Sequence, residues 1–138
     1  MKVLFLLFLL ILPTMAQERQ SRRAINLPPQ LLEDASTHVA AGLAQSPSGA
    51  PIIIDTRPIP RGLIVSLFGT LMRVNGVREV LLVNVSDGKE YVLPGSVSGI
   101  WIPKLERVAF RLPNAASGEV WVRTIGIRES NWVRFYVE

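Results

Sequence analysis

The feature that most constrains this chain is a series of short alternating segments over its second half, each closed by turn-forming residues. In residues 107–112, Val108, Phe110 and Leu112 share one parity, while Arg107, Ala109 and Arg111 share the other. Residues 120–123 repeat the pattern, with Val120 and Val122 on one side and Trp121 and Arg123 on the other. Residues 132–137 close it, setting Val133, Phe135 and Val137 against Trp132, Arg134 and Tyr136. Successive side chains of a strand point to opposite faces, so a period of two predicts strands with one buried face. Further strands are predicted at residues 52–54, 63–68, 79–85, 91–93 and 100–102, with residues 94–99 as a Pro-Gly-Ser loop. Asn75-Gly76 and Asp87-Gly88 are the tight-turn signals, because these residues tolerate positive φ. Seven or eight short strands at this spacing predict an all-β sandwich occupying residues 51–138.

The other end of the chain reads differently. Met1-Lys2 is a short basic start, residues 3–12 are uninterruptedly apolar, and Pro13-Thr14-Met15-Ala16 ends in a small residue. That is the layout of a secretory signal peptide over residues 1–16. The alternative is an uncleaved anchor, but the apolar run falls well short of the ~20 residues that span a bilayer. The protein is therefore expected in the periplasm or outside the cell, with no stable membrane span after cleavage. Residues 17–26 are polar and arginine-rich, as a terminal tail is. Pro28 and Pro29, then Glu33 and Asp34, then Leu31, Ala35, Val39 and Leu43 at steps of four, predict a short amphipathic helix ended by Ser46-Pro47-Ser48-Gly49. Tail and helix together make residues 17–50 an extension ahead of the sandwich. One helix of this length is marginal alone in water, so its apolar stripe must pack on the domain or on a partner.

The chain has no cysteine. That excludes a disulfide scaffold, a thiolate metal site and a cysteine nucleophile, and leaves packing to hold a small exported domain together. A domain of this size buries enough surface to do so. The formal net charge is +4, with Lys2 in the leader and Arg19, Arg22 and Arg23 in the tail. Export argues against nucleic acid as a partner, and a weak basic bias suits an anionic surface or glycan.

Residues 60–70, Pro-Arg-Gly-Leu-Ile-Val-Ser-Leu-Phe-Gly-Thr, resemble the opening strand of TIG-type (IPT-type) immunoglobulin-like domains, where a glycine precedes a strand ending in an aromatic-Gly-Thr corner. Residues 108–113, Ser117-Gly118, residues 120–123 and Ser130-Asn131 resemble that family's closing half. The likeness is nearest to the TIG-like domain at the C-termini of secreted acidobacterial proteins, and it covers residues 60–138. It implies an immunoglobulin-like sandwich of about seven strands and a secreted, non-catalytic module; the family has no catalytic residues to transfer. Independently, Gly62 and Gly69 bracket a strand where a corner needs positive φ or close backbone approach, with simple turn punctuation as the alternative. Asn131 at a strand entrance suits an Asx-type turn.

Chemistry is sparse. His38 is the only histidine, so no ordinary histidine metal site or acid–base pair can be built around it. No GxSxG elbow, P-loop, dinucleotide fingerprint or calcium loop is present. The chain is read as a non-enzyme with no cofactor and no metal. One constellation stands out: Trp121, Arg123, Trp132, Arg134 and Tyr136 share the outward parity of the last hairpin, with Arg107 and Arg111 expected on a neighbouring strand. Aromatics interleaved with arginines can stack on sugar rings or contact a protein. The alternative is cross-strand packing in which arginine stems and rings shield each other, or a face covered by the N-terminal helix. The functional expectation is a secreted binding module for a polysaccharide or protein of the cell envelope. A structural accessory docked through the helix is the second reading.

Overall fold

The computed structural model describes residues 27–46 and 48–138; the expected leader, the arginine-rich tail of residues 17–26 and Pro47 lie outside the described residues. Ten short strands form two antiparallel sheets. In chain order they are β1 (Gln30–Leu31), β2 (Gly42–Gln45), β3 (Pro51–Ile53), β4 (Ile64–Thr70), β5 (Glu79–Asn84), β6 (Glu90–Pro94), β7 (Ser96–Gly99), β8 (Glu106–Arg111), β9 (Gly118–Ile125) and β10 (Val133–Val137). One sheet runs β3-β2-β4-β8-β7, with β1 also on β4; the other runs β10-β9-β5-β6. The all-β, two-layer expectation holds, with more strands than the sequence signalled.

Alternation builds the core as anticipated. Val65 and Leu67 of β4 and Val108 and Phe110 of β8 meet Val80 and Leu82 of β5, Val120 and Val122 of β9 and Phe135 of β10, none of them more than 2% exposed. Burying side chains of this kind contributes about 1.5–3 kcal/mol each, which lets a cysteine-free domain stand on packing.

The predicted helix does not form. Its residues supply β1, an excursion over residues 32–41, and β2, and among the described residues there is no helix. β1 and β2 divide one edge of β4 between them, Leu31 facing Gly69 and Gly42 facing Leu67. The physical reason is competition. Asp34 accepts bonds from the Ser36 amide (2.9 Å), the Ser36 hydroxyl (2.7 Å) and the Thr37 amide (3.3 Å), giving a turn where a helix needed its second coil. A lone helix has only local bonds, whereas these residues gain long-range pairing with β4 and β10. The excursion also ties the two sheets together, through a Val39–Arg134 bridge and bonds from Arg134 N to His38 O and Ala40 N to Arg134 O, each 2.9 Å.

Three smaller differences matter. The predicted strand at residues 100–102 is a loop, and the neighbouring Ser96–Gly99 is the strand, paired with β8. Arg107 and Arg111 lie on β8 in the six-stranded sheet, not beside the last hairpin. Gly62 has φ +71°, and a Cβ at Gly69 would sit 2.6 Å from the Gln30 carbonyl oxygen, so both glycines do more than punctuate. Asn131 bonds distant backbone: its Oδ1 accepts from Leu31 N (2.7 Å) and its Nδ2 donates to Leu31 O (3.0 Å). One side chain thereby does for Leu31 what a neighbouring strand would do.

Candidate functional site

The outer face of the four-stranded sheet is built by register. Arg134 pairs with Trp121, Tyr136 with Glu119, and on the other side of β9 Val83 pairs with Trp121 and Leu81 with Arg123. Directly opposed residues of an antiparallel pair share a face. Trp121, Arg123, Arg134 and Tyr136 therefore lie on one surface, joined by Trp132 immediately before β10.

The arginines on this face are committed internally. The Arg134 guanidinium carbon lies 5.6 Å from the ring centre of Trp121; its Nε donates to the Thr37 carbonyl (2.7 Å) and its Nη1 to Glu119 Oε1 (2.8 Å). The Arg123 guanidinium lies 4.8 Å from the ring centre of Trp132, with Nη2 3.0 Å from Glu129 Oε2 and 3.2 Å from the Ser130 carbonyl. His38 reaches the same surface, its ring 6.3 Å from that of Trp121 and its Nδ1 3.2 Å from Glu33 Oε2. Cation–π stacking of this kind contributes about 0.5–2 kcal/mol and fixes both partners. The tryptophans are half-buried, and with Val83 they wall a shallow depression of about 320 Å³. Tyr136 packs toward the core beside it. The face thus offers an apolar floor with its cations held at the rim, extended across the sheet by Leu81 and the exposed Val92, which pair with each other. Such a surface can hold a flat ring or an apolar side chain; it does not offer free cations to an anion.

Asp34 supports this face from the side. Its carboxyl is held below the usual value of 3.8, first by the Ser36 hydroxyl and then by the amides of Ser36 and Thr37. The turn it makes sets the Thr37 carbonyl that anchors Arg134. Among the described residues no group of three or more His, Asp or Glu side chains is placed to hold a metal ion.

A second site lies at the end of the sandwich where β4, β7 and β9 finish, and sequence reasoning passed over it. The loop 71–77 and the loop 100–105 enclose an open crevice of about 690 Å³, walled by Leu71, Val74, Ile100 and Ile102, with Arg73 and Lys104 beside them. Trp101, at the tip, is 89% exposed. The crevice is braced: Glu106 Oε1 accepts from Met72 N (2.7 Å), and Asn75 Nδ2 donates to Leu71 O (2.7 Å) and Leu27 O (3.0 Å). That bracing holds Leu71 at φ +60°; Lys104, across the crevice, has φ +67°, and both conformations are costly for branched or bulky side chains. The signal available in the sequence was Gly99-Ile100-Trp101-Ile102-Pro103, a tryptophan between two punctuating residues with no alternation around it.

Compared with protein-family models, with curated proteins and with solved structures, the chain matches none.

Proposed function

We propose that this chain is a secreted, non-enzymatic, immunoglobulin-like binding module that engages a glycan or protein of the cell envelope through the outer face of its four-stranded sheet. The observation that carries the reading is the depression walled by Trp121, Trp132 and Val83, with both indoles oriented by stacked, anchored arginines. Rigid aromatics need little further ordering to bind, so their contact area converts to affinity efficiently. The TIG-like sequence features from residue 60 onward and the signal-peptide layout of residues 1–16 support the same reading. The accessory reading depended on a docking helix, and the residues assigned to that helix are strands and a turn.

The test is retention on insoluble envelope polysaccharides and on immobilised envelope proteins, with wild type compared to Val83→Glu. Val83 floors the depression yet stacks on neither arginine, so a carboxylate there should leave the melt intact and weaken retention at least about tenfold, as a charge buried against a ligand does. Equal retention of a folded Val83→Glu protein, or no retention of wild type on either material, would overturn the proposal.

A further inference from the structure

We propose that the loop end of the sandwich is a membrane-surface contact, taking anionic lipid headgroups and the outermost acyl region of a bilayer. This is separate from the sheet-face reading and does not rest on it. Three segments converge there on the loop 71–77, making four in all. Ile127 N donates to Asn75 O (2.8 Å), Leu27 O accepts from Asn75 Nδ2 (3.0 Å), and Gly99, just before the Trp101 loop, lies against the Arg73 guanidinium. Each segment contributes an exposed apolar tip: Leu27, Val74, Trp101 with Ile102, and Ile127, which is 71% exposed. Isolated exposed apolar residues are ordinary, but five on one end of a small domain are a patch with a purpose.

The charges select the partner. Arg73, Arg78, Lys104 and Arg128 lie on or beside three of these segments and are exposed. Of the nearby carboxylates, Glu106 is turned inward onto Met72 N with Oε2 3.6 Å from Arg73 Nε, and Glu129, though exposed, is paired with Arg123, leaving Glu79 at the start of β5 as an exposed acid outside the ion pairs of the described residues. Cations ringing a tryptophan and aliphatic tips match the chemistry of a bilayer interface, where indoles settle at headgroup depth and basic side chains face anionic lipid. Single tips presented by separate loops suit a fluid plane that conforms to them better than they suit a protein groove. The described chain begins at this end, with the Leu27 carbonyl accepting from Asn75 Nδ2. A domain so mounted would present its sheet face sideways, free for the envelope ligand.

The experiment is co-sedimentation with vesicles, one set of pure phosphatidylcholine and one containing 3:1 phosphatidylcholine to phosphatidylglycerol, using exported protein whose variants differ only at the loop end. Wild type should partition into the anionic vesicles with a blue shift of tryptophan emission. Trp101→Ser with Ile127→Ser should lose the shift and bind at least about tenfold more weakly. Lys104→Gln should weaken binding about fivefold and flatten its salt dependence. Because every variant carries the same N-terminal segment, unchanged partitioning of the double variant would assign any binding to that segment and overturn the proposal. Equal binding of wild type to both vesicle sets, or none to either, would overturn it too.

Discussion

Two tryptophan surfaces share this small domain, and they are built on opposite principles. On the four-stranded sheet, Trp121 sits in β9 and Trp132 immediately before β10, each beneath or beside an arginine that is itself tied to a carboxylate or carbonyl. At the loop end, Trp101 is almost wholly exposed, and among the described residues neither a ring nor a cation is stacked on it. A strand gives each side chain fixed cross-strand neighbours, so a large ring there is partnered before any ligand arrives. A loop tip gives it none. The aromatic residues that looked functional in sequence carry structure as well as any ligand, whereas Trp101 is exposed with nothing stacked on it among the described residues.

The largest effect that would sharpen this contrast is loss of both sheet tryptophans. Trp121→Ala with Trp132→Ala removes two half-buried rings and leaves Arg123 and Arg134 without their stacking partners. The expected loss is about 3–5 kcal/mol, the range for one large ring taken from a core, since two half-buried rings approximate one buried one. Urea unfolding reads it, and a loss below about 1 kcal/mol would mean the rings are present for ligand alone.

Asn131→Leu comes next. It keeps approximate volume but leaves both backbone groups of Leu31 without their partner, at about 1–3 kcal/mol. Hydrogen exchange should show the loosening concentrated in residues 30–41, which brace the tryptophan face from the side. Uniform loss of protection across both sheets would mean that the excursion and the core open together.

A smaller effect is expected in acid. Asp34 is held below 3.8 in the folded protein, chiefly by the Ser36 hydroxyl. A group whose pKa is lowered on folding contributes stability above its unfolded value, and that contribution fades as pH falls below about 3.8 toward the folded value. Thermal melts of wild type and Asp34→Asn should therefore differ at pH 5 and converge as the pH falls below that range. A constant difference across it would show that the Asp34 turn acts through shape rather than charge.

How far the sequence foretold this arrangement depends on the range of the interactions involved. The parities of residues 107–112, 120–123 and 133–137 were legible because alternation is local, and the structure places Val108, Val122 and Phe135 in the core accordingly. Residues 28–45 misled because Leu31 and Val39 fall at helical spacing while the interactions that decide their fate come from far away. Leu31 is held by Asn131, and Val39 is held by Arg134, both near the other end of the chain. Residues 100–102 misled for the opposite reason: β-branched Ile100 and Ile102 have strand propensity, yet Gly99 and Pro103 leave them no room to pair, and the serine-rich residues before them take the edge of β8. Face membership was legible within one hairpin, and not between strands, which is why Arg107 and Arg111 were placed on the wrong sheet.

The smallest expected effect is the most discriminating. Trp101→Ser removes the largest exposed side chain of the loop end, from a position where it shields little surface and accepts no stacking partner. Surface changes away from caps, cores and special backbone conformations stay within about ±0.5 kcal/mol. The φ +60° and +67° residues that shape the crevice are Leu71 and Lys104, and the bracing around Leu71 runs through Asn75 and Glu106, neither of which depends on the indole. The urea midpoint of Trp101→Ser should therefore match that of wild type, while the paired sheet variant shifts strongly. A loss above about 1 kcal/mol would show that Trp101 folds back onto the crevice walls in solution, and would erase the difference between the two surfaces. An unchanged midpoint leaves an exposed indole that contributes nothing to folding and is free to meet something outside the domain.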